Sequence, residues 1–414
     1  MKTIVRFAVI SLLLWNFTSC TKDTIWEHYT FYRPEYKTVE EVKANIKSSA
    51  SIAISNAGKI FVKGQYVFLN DIDKGVHIID FSNPVLPRNI AFIHIPGSRD
   101  ISVKDNYLYA DCYTDLVTVD ITDPLDAKLK SFINGVFPQR AYMQGLEPGL
   151  VVTNWIKVDT VVEVKAGAVS GGWGSAEMYF SSNPASTGLS NSSAAGVAGS
   201  MSAFALVGNR LYTVDEANLK VFNTSQPATP QYIKNVQLNS WQIETIFPFE
   251  NKLFIGSQSG MMIYNVADPD NPTALGAFTH ATACDPVIAD GNTAYVTLRS
   301  GGLCTGVNNQ LDVLDISNLL HPQLIKTYEL TGPAGLSKDG NKLLICDGAS
   351  GLKLFDAGIA SNIIQKAQLS IADPYDVIAL NGLAIVTAKR GLYFVDYSNG
   401  MQMSIKGQVN ISHE

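Results

Sequence analysis

Leu116-Val117-Thr118-Val119-Asp120-Ile121-Thr122-Asp123-Pro124 is a short apolar strand that stops at an acid and hands the chain to a turn and a proline. Proline has no N–H to give a strand ladder, so the ladder ends there. The same arrangement returns at Val76 to Pro84, Leu219 to Pro227, Met261 to Pro269, Leu311 to Asn318, Leu352 to Asp356 and Leu392 to Asn399. Its anchoring residue is Asp80, Asp120, Asn223, Asn265, Asp315, Asp356 and Asp396, at spacings of 40, 103, 42, 50, 41 and 40 residues.

A period near 40 residues is the length of a four-stranded propeller blade. Four strands of about 5–6 residues with short turns fill it. Around each anchor the chain repeats one grammar. A first strand runs into a tight turn such as Gly64-Gln65, Gly208-Asn209 or Asn381-Gly382, whose residues tolerate positive φ. A second strand follows, then the anchored third, then an edge strand such as Asn89 to Ile93. The long gap between Asp120 and Asn223 has room for one more unit, with candidate strands Leu150 to Trp155 and Thr160 to Val164, plus an insertion. The expected fold is therefore an all-β propeller of eight four-stranded blades over residues 58–409, with seven as the alternative. A chain of 414 residues exceeds the size of a single ordinary core, about 250–300 residues, and repetition resolves that, because each unit adds its own core.

The repeated strand resembles the LVIVD-repeat family, named for an apolar strand ending in Asp; Val117-Thr118-Val119-Asp120 and Val313-Leu314-Asp315 carry the resemblance. It implies a bacterial or archaeal cell-surface β-propeller and no particular chemistry. No Trp-Asp repeat signature is present, and Ser337-Lys338-Asp339-Gly340 lacks the rest of a sialidase-type box.

The N-terminus reads as an address. Lys2 and Arg6 precede the apolar run Phe7 to Trp15, which is too short to cross a bilayer, and Phe17-Thr18-Ser19-Cys20 follows. Small residues before a cysteine resemble a bacterial lipobox, with residues 1–19 as signal peptide and Cys20 as the lipid-bearing first residue. Lys22-Asp23 resembles the surface-export signal of Bacteroidetes lipoproteins. Residues 20–57 then form a tether and lead-in, in which Thr38 and Glu41 have the spacing of a helix capping box over 38–46. The expected location is the outer membrane or cell surface. Residues 166–200, rich in Ser, Ala, Gly and Asn, read as a loop-like insertion without enough apolar surface to order itself.

Charge and motifs exclude several chemistries. The net charge is −6 and no Lys/Arg cluster exists, so nucleic acid is not an expected partner. The six histidines stand in separate contexts and no metal is expected. Asp71-Ile72-Asp73 lacks the glycine and distal glutamate of a calcium loop and reads as a solvated turn. No nucleophile elbow, P-loop or dinucleotide fingerprint appears, so no cofactor is expected.

Propeller topology still says where a ligand would meet the chain. Loops entering first strands and loops leaving second strands share one face. On them lie Arg99, Asp100, Asp111, Asp115, Arg140, Trp155, Trp241, Glu244, Asp285, Arg299, Asp347, Asp376 and Arg390. Such a ring of charges and aromatics around a central channel is a candidate mouth for a glycan, a peptide or a surface-protein partner. The expected role is binding. A glycan-active enzyme is the alternative, to be recognised by two facing carboxylates about 5–10 Å apart. Cys112 and Cys346 read as small buried residues at the ends of second strands, whereas Cys284 and Cys304 flank one blade in an exported chain and are expected to form a disulfide. If Cys20 carries the anchor, Cys20→Ala moves the protein from the membrane fraction to the soluble fraction and abolishes acyl labelling; an unchanged membrane fraction without labelling of the parent chain disproves the assignment.

Overall fold

The structure is a computed structural model and describes residues 24–138, 149–165, 197–238, 240, 242–279, 286–300 and 309–412. Each anchor does the same local work. The side-chain oxygen of Asp80, Asp120, Asn223, Asn265, Asp315, Asp356 and Asp396 accepts the N–H of the residue two further on, at 2.8–3.1 Å. This Asx turn bends the chain off the third strand in every repeat. The residue directly after each anchor donates its own N–H to the turn joining the first two strands, at Gln65, Asn106, Asn209, Asn251, Asn292, Asn341 and Gly382. That turn opens on a residue with positive φ in all seven repeats: Gly64, Asp105, Gly208, Glu250, Gly291, Gly340 and Asn381. Glycine takes this backbone shape without steric cost, which is why it fills four of the seven places.

The result is seven antiparallel sheets, at 57–94, 101–133, 204–237, 243–279, 287–329, 336–369 and 374–410, here blades 1 to 7. Within each blade the four strands pair in sequence order, and the sheet of blade 1 gains a further strand at each edge. Each blade also carries an irregularity between its third and fourth strands, from Ile78/Ile79 in blade 1 to Phe394/Val395 in blade 7. Such a bulge sharpens local twist. Blade faces are apolar on both sides, and the core is a chain of clusters between neighbouring blades. The ring closes where Phe394 of blade 7 meets Phe81 of blade 1, with ring centroids 5.5 Å apart. Tyr375 Oη also donates to Ala57 O, and Ile411 pairs in parallel with Ile54 just ahead of blade 1.

Among the described residues the expected eighth blade does not form, and the seven of the alternative do. Leu150 to Lys165 is one continuous strand, and it pairs with Thr24–Thr38 in a separate two-stranded sheet. The long anchor gap holds the last strand of blade 2, this ribbon strand, residues 166–196 (outside the described residues), and the first two strands of blade 3. An excursion as long as a blade thus mimics one in the spacing. By contact the chain divides into two units, 1–35 with 154–180, and 36–153 with 181–414. The first holds most of the ribbon and the second holds the propeller.

The lead-in is more ordered than a tether. Thr38 caps the helix Val39–Asn45, and its hydroxyl and backbone exchange bonds with Glu41 as the capping-box spacing predicts. Ser48–Ala50 then adds a strand to the outer edge of blade 1. Asp71 is fully buried, which corrects its reading as a solvated turn. It accepts Ser55 N–H at 2.9 Å, Asn56 N–H at 3.0 Å and stands 3.1 Å from His77 Nε2. Burial pushes its carboxyl up, but the bonds from His77, Ser55 and Asn56 outweigh this and hold it below the usual value.

The anchors make a testable claim. The Ser82 N–H bond holds the Asp80 carboxyl below its ordinary range. A lowered folded pKa stabilises above the unfolded value, about 3.9, and that stability fades as pH falls further. Asp80→Ala should cost about 1 kcal/mol in urea unfolding at pH 7. Asp80→Asn should cost less, since Asn223 and Asn265 do the same work in blades 3 and 4. Equal losses in the two variants would show that the acceptor is not what matters.

Candidate functional site

The axis of the propeller is where a channel mouth was expected, and it is occupied by the chain itself. On its way into blade 3, Val197–Ala198 adds a short inner strand to blade 1 against Val62 and Phe61. Gly199 N–H then bonds Ile60 O of blade 1 at 2.6 Å. Ser200 N–H bonds Asp376 Oδ1 of blade 7 at 2.9 Å, and Ser200 Oγ accepts Leu336 N–H of blade 6. Ser202 Oγ donates to Asp100 Oδ1 of blade 2 at 2.9 Å, and Ser202 O accepts Ile246 N–H of blade 4 at 2.8 Å. Ala203 N–H donates to the other oxygen of Asp100, and Ala203 O accepts Val214 N–H of blade 3. Six residues of this seven-residue stretch thus bond to six of the seven blades. Met201 adds an apolar contact to the core between blades 6 and 7.

This plug defines the chemistry of Asp100 and Asp376, the two carboxylates of the expected ring to which it bonds. Both are buried. Burial pushes Asp100 up against the pull of Lys59, whose Nζ lies 3.1 Å from Oδ2. Burial pushes Asp376 well above the carboxylate range, opposed by the N–H groups of Val377 and Ser200. Asp100 uses both oxygens, on Ser202, Ala203 and Lys59, whereas Asp376 takes the Ser200 and Val377 N–H groups on Oδ1 and keeps Oδ2 buried without a hydrogen-bond partner.

Asp111 and Asp347 share a second device with Asp71. Each stands at or just after the end of a second strand and accepts two consecutive backbone N–H groups from the loop entering its own blade. Asp111 takes Arg99 and Asp100 at 2.8 Å each; Asp347 takes Thr331 and Gly332 at 2.9 and 2.8 Å and pairs with Lys353 at 2.5 Å. Arg99 Nε meets Asp73 Oδ1 at 3.1 Å. Asp115 accepts Gly135 N–H and the Thr114 hydroxyl, with burial pushing its carboxyl up. Arg299 and Arg390 are exposed, and Arg390 O accepts Ile411 N–H. Trp155 stands on the ribbon and on no blade, because the eighth unit that would have carried it does not form. Arg140, Trp241, Asp285, Cys20, Cys284 and Cys304 lie outside the described residues. Cys112 and Cys346 are buried free thiols at the ends of second strands, as read from sequence, and burial raises both.

An open cleft of about 310 Å³ lies on blade 4. Ser240, Ser257 and Ser259 place three hydroxyls 3.2–3.3 Å apart at its edge, and Met262, Tyr264 and Phe278 line it. Glu244, from the expected ring, stands on the first strand of blade 4 and accepts from Gln258 Nε2, in the turn after the second strand, at 3.0 Å. The cleft offers hydroxyl donors and acceptors over an apolar floor, which suits a small polar group with one hydrophobic side. Sequence reading missed these serines, since isolated serines at turns carry no pattern. It also missed Lys59, Gly199, Ser200 and Ser202. Among the described residues no cluster of three or more metal-ligating side chains occurs.

A propeller of seven four-stranded blades with a self-filled axis is thereby defined as the class. The chain carries LVIVD repeats: the LVIVD repeat matches residues 55–89, 97–133 and 283–330, which fall on blades 1, 2 and 5. Among curated proteins no sequence matches it. Among solved structures it is similar to the periplasmic gluconolactonase PpgL of Pseudomonas aeruginosa, with TM-score 0.53, 11% identity and 86% and 96% of the two chains covered. It is also similar to the computationally designed Ika8 protein, with TM-score 0.51, 10% identity and coverage of 89% and 91%. At such identities the likeness is one of fold.

The plug has a sharp steric requirement. A Cβ on Gly199 would collide with the Asp376 carboxylate and press on Ile60 Cγ1 at 3.0 Å. Gly199→Ala should therefore lower the thermal midpoint by several degrees, equivalent to about 1–3 kcal/mol. Replacing residues 169–196 with a short Gly/Ser linker should leave the midpoint nearly unchanged. The dispensable stretch stops short of Ser200, because 197–200 belongs to the core. A Gly199→Ala midpoint equal to the parent's would refute the tight seat.

Proposed function

We propose that this chain is an exported, lipid-anchored binding propeller of the outer membrane or cell surface, holding a glycan, a peptide or a surface-protein partner on the face that carries the loops entering its blades. The observation behind this reading is the plug. It fills the axis, and it commits Asp100 and Asp376 to backbone donors. Asp100 and Oδ1 of Asp376 are thereby engaged by the chain itself, which favours binding over a facing pair of catalytic carboxylates. The blade 4 cleft offers a surface for a polar ligand, with Ser240, Ser257 and Ser259 as the polar set. A fold shared with a gluconolactonase carries no activity across, since propellers host many functions.

The test is an immobilised array of glycans and peptides probed with the mature chain, followed by the Ser259→Trp variant, whose indole fills the exposed edge of the cleft. The expected result is a defined set of bound ligands, weakened about tenfold or more by Ser259→Trp at an unchanged thermal midpoint. Binding indifferent to the substitution would remove the cleft from the proposal. Release of a shortened glycan during incubation would replace binding with catalysis.

A further inference from the structure

The ribbon presents a surface that the propeller does not need. Its two strands, Thr24–Thr38 and Leu150–Lys165, form a sheet of their own. Two-stranded sheets are marginal in water unless a further surface covers them. Two hydrogen bonds say which side chains share a face. Thr30 Oγ1 donates to Asp159 Oδ1 at 2.5 Å, and Asn154 Nδ2 donates to Glu35 Oε2 at 3.5 Å. Side chains alternate along a strand. Tyr29 and Phe31 therefore share the face of Asn154, Ile156 and Val158, while Tyr32 shares the other with Lys157, Asp159 and Val161.

The first face carries an open apolar group, Tyr29, Phe31, Ile156 and Val158, beside the polar Arg33, Glu35 and Asn154. Phe31 is 48% exposed, Tyr29 41% and Ile156 37%. Exposed aromatics on a narrow sheet are costly in water and favourable at the boundary between lipid headgroups and acyl chains. The sequence places a bilayer within reach. Only four peptide steps separate Cys20 from Thr24, the first residue of the ribbon, a span of at most about 14 Å. A ribbon starting so close to a lipid anchor meets the membrane surface before any other large partner.

We infer that the face bearing Tyr29, Phe31, Ile156 and Val158 lies along the bilayer that holds the lipid on Cys20, as a second, reversible membrane contact beside the anchor. This rests on the lipid-anchor reading of Cys20. Arg33 on the same face has a stem long enough to reach the headgroup phosphates. A second contact would fix how the anchored chain stands on the membrane, which a flexible lipid by itself does not.

The test keeps the two claims apart by replacing the anchor. Residues 1–20 are exchanged for a hexahistidine tag, and the rest of the chain is held on phosphatidylcholine/phosphatidylglycerol vesicles containing a nickel-chelating lipid. Amide exchange is compared with the same chain on soluble nickel chelate. The expected result is exchange slowed about fivefold or more at residues 28–35 and 154–160 on vesicles, with the blades unchanged. Phe31→Ser/Ile156→Ser should lose that slowing while the blades keep the parent's thermal midpoint. Unchanged exchange at the ribbon overturns the inference. So does a parent chain that sediments as a dimer, and its double variant as a monomer, since the face then belongs to a second copy. Absence of acyl labelling on Cys20 in the native protein would end the anchor reading, and the exchange result would still stand or fall separately.

Discussion

One short bond organises this protein. A side-chain oxygen at the end of each third strand takes the N–H two residues on, and the residue between them reaches across to the hairpin turn below. Together these tie three strands of a blade at one end. The bond is local, so each repeat can form it without its neighbours. It accepts Asp or Asn, since only the oxygen is used. The four-stranded sheet follows from it, and the apolar faces of that sheet follow from having a blade on each side.

A ring of such blades leaves a hole at its centre, and backbone or carboxylate groups lining a hole need partners. Water supplies them in an open channel. Here the chain supplies them, by leaving the ring after blade 2 and returning through the middle before blade 3. Asp100 and Asp376 are then best understood as receivers for Ser200, Ser202 and Ala203. Their raised carboxyls reflect the loss of water on burial, opposed by those donors and by Lys59. A charged residue at a propeller mouth is a poor indicator of a binding site until its partners are known.

The same economy appears where Asp71, Asp111 and Asp347 hold entry loops in blades 1, 2 and 6. Sequence analysis placed Asp111 and Asp347 in a ligand ring because they sit on the right face, and they do sit there. Their use differs: a carboxylate with two N–H groups aimed at one oxygen is already occupied. Among the described residues Ser259, Arg299, Lys389 and Arg390 remain exposed at that end of the blades.

The sequence by itself determined the repeat and its anchoring residues, the hairpin turns, the helix cap at Thr38 and the burial of Cys112 and Cys346. The turns and the cap rest on contacts between residues a few positions apart, and the repeat and the two cysteines on apolar strand patterning; each leaves a readable period or spacing. Tertiary structure alone decided the number of blades, the filling of the axis and the work of the carboxylates. Ser202 meets Asp100 across 102 residues, Leu336 meets Ser200 across 136, and Ser200 meets Asp376 across 176. Bonds of that separation impose no local pattern, because each partner only has to be a small polar residue delivered to the right point. Blade number was hidden for a related reason: chain length is the same whether forty residues build a blade or leave the ring and return.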